Sequence, residues 1–237
     1  MFDHVNVELP ERKVRTDEST GKRYYIIDGV DVHYPSVTTV VNHENEEFFA
    51  EWRKNPENAK MAAQAAARGN KYHNLVEDYL NNKEIESIPL FESSKFKLDK
   101  INNIRALEVP LWGDVLELIR ENYGLSVKGN FGVAGRVDCI AEYEGQLAVI
   151  DFKTAKRPKN VEDIEGYLMQ ATCYSLLWEG LTGEKIHDGV IIMACDDLSC
   201  SVYKFRTKKL NRLNRLVDII NSYQQKYGRQ NGINIHS

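Results

Sequence analysis

Nowhere in the 237 residues does an apolar run approach the roughly 20 residues that a membrane-spanning helix needs. The first twenty residues carry Asp3, Glu8, Glu11, Asp17 and Glu18, and resemble neither a secretory signal nor an Arg-rich, acid-poor transit peptide. A soluble protein of a cytoplasmic compartment is therefore the expectation. The four cysteines, Cys139, Cys173, Cys195 and Cys200, show no CxxC spacing, so reduced core thiols are expected and neither zinc nor an iron–sulfur cluster is assigned. No G-x-x-x-x-G-K-[ST] loop is present, which argues against ATP-driven activity in this chain. Repeats, low-complexity tracts and long linkers are absent too, so residues 1–237 read as a single domain. Within it, 1–22 form an N-terminal extension and 113–130 an insertion. Nor is there a surplus of positive charge: the formal net charge is -4. That is a weak argument against a polyanionic partner, because phosphate contact depends on where basic groups cluster.

Two such clusters exist. Lys153, Lys156, Arg157 and Lys159 follow one predicted strand; Lys204, Arg206, Lys208, Lys209, Arg212 and Arg215 follow another without an intervening acid. Either could equally be a solvated face. With 42% hydrophobic and 28% charged residues, the composition is that of an ordinary globular α/β domain. Arg23 to Tyr34 reads as a hairpin turning at Asp28-Gly29. Ser36 can cap a short helix, and Glu46 to Lys54 and the Ala-rich stretch Glu57 to Leu80 read as two more, with Gly69 a soft spot. Ser94 to Asn102 is expected as helix, Ile104 to Trp112 as strand and Val115 to Tyr123 as helix. Phe131 to Tyr143 and Gln146 to Lys153 read as strands joined at Glu144-Gly145, the second apolar enough to be covered on both faces. A helix from Asn160 to Leu181, strands at His187 to Ala194 and Ser199 to Phe205, and a helix from Thr207 to Tyr227 complete the chain. The last helix presents Leu210, Leu213, Val217 and Ile220 on one face. This order implies a central mixed β-sheet flanked by helices.

Asp138 and Asp151 interrupt or end strands whose neighbours favour burial. An ionised acid there costs several kcal/mol unless something positive neutralises it. Adjacent antiparallel strands can bring the two together, and a hard divalent cation, Mg²⁺ or Mn²⁺, would relieve their repulsion. Lys153 lies two residues beyond Asp151 on one strand, hence on the same side. Its ammonium could orient a water and stabilise charge developing on a phosphate; acting as a base would require a large fall in its pKa. Taken alone, Asp151 and Lys153 could be a structural ion pair. His73 and Glu77 share a helical face, which suits a further metal ligand but suits a structural histidine as well. Gln170 and Tyr174 are one turn apart and unremarkable by themselves.

In order, however, the pieces resemble a known layout. Gly69 to Glu77 is similar to the G-x-x-x-H-x-x-x-E helix of RecB-like PD-(D/E)xK nucleases, Gly135-Arg136-Val137-Asp138 to their G-x-x-D strand, Asp151-Phe152-Lys153-Thr154 to their D-x-K-T strand, and Gln170 to Tyr174 to their Q-x-x-x-Y helix. Tyr34 to Val40, Glu51-Trp52-Arg53 and Val137 to Tyr143 further resemble the mitochondrial genome maintenance exonuclease family and its phage and bacterial relatives. The resemblance implies a restriction-endonuclease-like core. It also implies ATP-independent hydrolysis of phosphodiester bonds from free ends, preferring single-stranded DNA, in replication, repair, recombination or phage DNA metabolism. By the same resemblance His73, Asp138, Asp151 and the Phe152 carbonyl bind Mg²⁺ or Mn²⁺, with Glu108 an additional acid for a second metal. Lys153 becomes the catalytic lysine, and Gln170 and Tyr174 shape the site. Phage origin would place the protein in the host cytoplasm.

For DNA contact the candidates are Ser36, Trp52, Thr154, Lys156, Arg157, Lys159, Lys208 and Arg212, with Tyr34 and Trp52 available to stack on unpaired bases. A single-strand binding protein or helicase is a compatible partner. Two rival readings are an endonuclease on the same scaffold and a non-catalytic DNA-binding relative.

Overall fold

The computed structural model describes residues 1–17 and 23–228. A three-stranded antiparallel sheet comes first: β1 (Val14–Asp17), β2 (Tyr24–Ile27) and β3 (Tyr34–Pro35), in the order β1-β2-β3. The expected hairpin is thus shorter than its sequence suggests. Gly29 adopts φ +81° and the Val30 N–H turns back to the Ile27 carbonyl, so pairing resumes only at Tyr34. The expected N-terminal extension contributes β1, and the Val5 N–H bonds the Ile104 carbonyl at 2.7 Å. Its residues 18–22 lie outside those described.

Four helices follow: α1 (Val37–Val41), α2 (Glu46–Trp52), α3 (Pro56–Leu80) and α4 (Pro89–Leu98). Ser36 caps α1 by accepting from the Thr39 N–H, and Asn55 with Pro56 starts α3. Helix α4 begins five residues before Ser94, with Pro89 in its first turn, and ends at Leu98; Ile101 already belongs to a strand. The remaining chain builds a five-stranded sheet from β4 (Ile101–Asp114), β5 (Gly132–Tyr143), β6 (Gln146–Ala155), β7 (Asp188–Cys195) and β8 (Cys200–Arg206). Strands β6 and β7 pair in parallel and every other pair is antiparallel, so the sheet is mixed. Helix α5 (Val115–Tyr123) joins β4 to β5, α6 (Glu165–Thr182) crosses from β6 to β7, and α7 (Leu210–Tyr227) ends the described chain.

Each face of the sheet carries its own core. On one, Val149, Ile191 and Met193 pack with Leu116 and Ile119 of α5, Leu176 and Trp178 of α6, and Leu213 and Ile220 of α7. On the other, Ile150, Phe152 and Ile192 meet Tyr72 and Val76 of α3 and Phe91 of α4. Residues two apart on β6 therefore serve the same layer, as the pleat requires. Helix α7 buries Leu213, Leu216, Ile219, Ile220 and Tyr223, whereas Leu210 is exposed. Leu210 opens the helix one turn before its core-facing stripe begins.

Candidate active site

The β5–β6 ladder pairs Tyr143 with Gln146 and continues to Cys139 with Ile150, where it stops. The next residues along are Asp138 and Asp151. From there β6 keeps only β7 as a partner, and the edge facing β5 needs other acceptors. The Phe152 N–H finds one in the Asp138 carboxylate, Oδ2 at 2.8 Å. A residue's N–H and carbonyl leave an extended strand by the same edge, so the Phe152 carbonyl also faces this gap.

A second irregularity lies on the other side of Asp138. Leu107 pairs with Cys139 and Val109 with Val137, which sets Glu108 opposite Asp138. Glu108 has φ +51°, a left-handed conformation rare for a non-glycine residue in a strand. Across the same point, Val137 and Ile140 both join the α6-side core while Cys139 joins the other, so the alternation slips by one residue. Distortions of this kind re-aim side chains next to active sites.

Helix α3 supplies the imidazole. His73 Nδ1 lies 3.7 Å from Glu108 Oε1 and 3.7 Å from Asp138 Oδ2. The helix comes close to β6 at Gly69, where an added Cβ would sit 3.7 Å from Thr154 Oγ1. Arg68 ties it down through an ion pair with Asp196, 2.8 Å long, in the β7–β8 turn. Burial disfavours a charged His73, but the neighbouring carboxylates of Glu108 and Asp138 outweigh it, and the imidazole pKa rises.

Asp151 is 2% exposed. Its Oδ1 accepts from Lys153 Nζ at 2.6 Å, while Oδ2 is buried without a hydrogen-bond partner among the described residues. Burial raises the Asp151 pKa and Asp138 raises it further, against the opposing Lys153. Burial works against the Lys153 ammonium as well, yet Asp151 and Asp138 hold its pKa above the ordinary value. An ammonium held against Asp151 in this way suits charge stabilisation.

Gln170 and Tyr174 of α6 close the site from behind. Tyr174 is buried, and burial drives its pKa well above the ordinary value, so the phenol keeps its proton. An added Cβ on Gly135 would lie 2.6 Å from the Tyr174 hydroxyl. Only glycine allows β5 to pass this close. The resulting cleft, about 460 Å³, opens between α3 and β5 and is lined by His73, Glu108, Asp138, Gln170 and Tyr174, with Arg23, Arg136, Asn70 and Asn74 around them.

A divalent cation fits these donors. Ligand atoms of His73, Glu108 and Asp138 lie within 4.8 Å of one another. Beside them Asp151 keeps a buried oxygen without a hydrogen-bond partner among the described residues, while its other oxygen holds Lys153. Hard oxygens with one imidazole suit Mg²⁺ or Mn²⁺. Glu108, expected only as an additional acid for a second metal, thus stands inside the cluster beside His73.

The expected DNA contacts fare unevenly. Ser36 lines the cleft, but its hydroxyl is engaged at the α1 cap. Thr154 lies against Gly69, and Lys156 and Arg157 are exposed beyond the end of β6. Lys159 lies beside Tyr167 at the foot of α6. Trp52 is half-buried, and the ring of Tyr34 packs on Gly132. Lys208 does not belong with them: its side chain is 3% exposed, bound to the buried Glu179 carboxylate, which Tyr123 also contacts at 2.6 Å. Arg212 is half-buried, its guanidinium 4.7 Å from the centre of the Phe205 ring. Residues given no role by the sequence reading also reach the site. Arg136 could have been found from its position two before Asp138, and Tyr167 from its position three before Gln170.

The sequence also has known relatives. The sequence profile of the PD-(D/E)XK nuclease superfamily matches residues 46–225. Mitochondrial genome maintenance exonuclease 1 of Mus musculus is 27% identical over 143 residues, 53% of this chain and 38% of the relative. Its Homo sapiens counterpart is 29% identical over 100 residues, 39% of this chain and 25% of that protein. The chain thus spans well under half the length of these relatives. Among solved structures, that of SSO0001 superimposes with a TM-score of 0.45 at 17% identity, covering 87% of this chain and 80% of that one.

Proposed function

This chain belongs to the PD-(D/E)XK nuclease superfamily, and on that premise we propose that it is an Mg²⁺- or Mn²⁺-dependent deoxyribonuclease working from free ends, preferring single-stranded DNA. The observation that carries the proposal is the convergence of His73, Glu108 and Asp138 in one cleft, with the Asp151–Lys153 pair on the adjoining strand, whose Phe152 N–H donates to Asp138. His73, Asp138, Asp151 and the Phe152 carbonyl would hold the ion, with Glu108 adjoining. When bound, such an ion polarises a phosphate oxygen and makes water a better nucleophile.

The chain's own groups do the rest. Lys153, kept charged by Asp151, orients the attacking water and stabilises negative charge growing on the phosphate. Tyr174 and Gln170 fix the wall behind Asp138, and Gln170 Nε2 is itself steadied on Thr38 Oγ1 at 3.3 Å. Arg23 and Arg136 line the cleft, where positive charge favours a phosphate backbone irrespective of sequence. Lys156, Arg157 and Lys159 continue that charge beyond β6.

The test is digestion of single strands labelled at either end, and of a circular single strand, with Mg²⁺, Mn²⁺ or EDTA. The proposal expects linear strands to shorten from one end with either metal, no loss in EDTA, and an intact circle. An opened circle would replace the exonuclease reading with an endonuclease. A chain inert on every substrate in both metals would refute it.

A further inference from the structure

Tyr167 lies in the first turn of α6, three residues before Gln170 and seven before Tyr174, so the three share one face of the helix. Two cations meet its ring. The Lys153 ammonium is 5.2 Å from the ring centre, and the Lys159 ammonium is also 5.2 Å away. Lys159 Nζ in addition donates to the Tyr167 phenolic oxygen at 3.3 Å. The backbone of Lys159 is fixed as well: its N–H donates to Tyr203 Oη at 3.2 Å, and its carbonyl accepts from the same hydroxyl at 2.6 Å.

Lysine side chains are flexible, and an ammonium is ordinarily a mobile, hydrated charge. Here one aromatic residue borders two of them, the ring meeting Lys153 and the hydroxyl end meeting Lys159. A ring attracts cations through its quadrupole and holds them without neutralising them, as a carboxylate would. The contact with Tyr167 thus leaves the Lys159 charge available to an anion that carries repeated negative groups, while Lys153 stays paired with Asp151.

We propose that Tyr167 is a positioning residue that sets Lys153 beside Asp151 for the reacting phosphate and Lys159 alongside it for a neighbouring phosphate of the same strand. This rests on the nuclease reading above. Tyr167 thereby extends the stripe of Gln170 and Tyr174 by one turn. Its ring serves the chemistry through Lys153, and its hydroxyl serves strand binding through Lys159.

Two variants separate those roles. Tyr167→Phe keeps the ring and loses the hydroxyl; Tyr167→Leu loses both. The phenylalanine variant should retain the parental kcat while KM rises several-fold. Its Kd for a single-stranded oligonucleotide in EDTA should rise by a similar factor, and Lys159→Ala should reproduce the effect without adding to it. The leucine variant should in addition lose roughly tenfold in kcat. Parental kcat in Tyr167→Leu, or equal loss of kcat in both variants with equal loss of melting temperature, would overturn the proposal. A parental protein that binds the oligonucleotide yet never cleaves DNA would instead sink the nuclease reading, and the EDTA binding comparison would then decide Tyr167's role toward Lys159.

Discussion

The Phe152 N–H donates to Asp138 Oδ2 at 2.8 Å, so a carboxylate replaces the ladder bond where β5 and β6 part. The same acid that would hold a cation also joins the two strands of the site. These duties can be separated. Asp138→Asn keeps an acceptor for Phe152 and relieves repulsion with Asp151, so without metal it should be at least as stable as the parent. Asp138→Ala should lose about 1–3 kcal/mol. Adding Mn²⁺ should raise the parental melting temperature through ligand linkage and leave Asp138→Asn unmoved. An equal Mn²⁺ shift in both proteins would remove Asp138 from the binding set.

Gly135 and Tyr174 yield a packing prediction. Gly135→Ala forces the Tyr174 hydroxyl away from a Cβ placed 2.6 Å from it. Overpacking of this kind costs about 1–3 kcal/mol. Removing the hydroxyl in Gly135→Ala with Tyr174→Phe should recover much of that loss in urea denaturation. The two changes together being no better than Gly135→Ala alone would contradict the close approach.

Replacing Lys153 with alanine should lower the cleavage rate by on the order of 10²-fold or more in Mg²⁺. Affinity for the oligonucleotide should change little, since Arg23, Arg136 and Lys159 remain. The Asp151 pKa, already raised by burial, should climb further once its opposing cation is gone. Parental rates in Lys153→Ala would mean that the site has been misassigned.

A fourth prediction concerns the opposite end of the sheet. Burial disfavours the Glu179 carboxylate, but Lys208 and Tyr123 more than compensate, holding its pKa below the ordinary 4.5. Its contribution to stability is therefore present above that value and lost as pH falls through the lower folded one. Burial lowers the Lys208 pKa, so that partner carries a desolvation cost of its own. Glu179→Gln should flatten the acid limb of stability against pH. Lys208→Met, which leaves the buried carboxylate with Tyr123 and the exposed Lys185, should cost about 1–3 kcal/mol. Oligonucleotide affinity should be unchanged in Lys208→Met; a marked loss would restore Lys208 to the DNA surface.

Much of this arrangement was legible because it depends on short-range spacing. Asp151 and Lys153 lie on one side because they are two apart on a strand, and Gln170 and Tyr174 share a helical face because they are four apart. The sheet followed from the apolar runs and the Glu144-Gly145 turn, with φ +51° and +78° at those two residues. Glu108 was harder to place. Its position depends on the β4–β5 register and on a left-handed residue in mid-strand, neither of which a local pattern encodes. Lys208 sits in a basic run, yet its charge is spent on Glu179, which only the packing of α6 brings near. Strand β1 was missed because its four residues, Val-Arg-Thr-Asp, carry too little apolar signal to stand out.

The most direct test of the account is the anomalous scattering of a crystal soaked in Mn²⁺. The account predicts a peak within coordination distance of His73, Asp138 and Asp151, with Lys153 Nζ remaining on Asp151. A cleft without a peak at saturating Mn²⁺, or a peak whose ligands include none of those three residues, would contradict it.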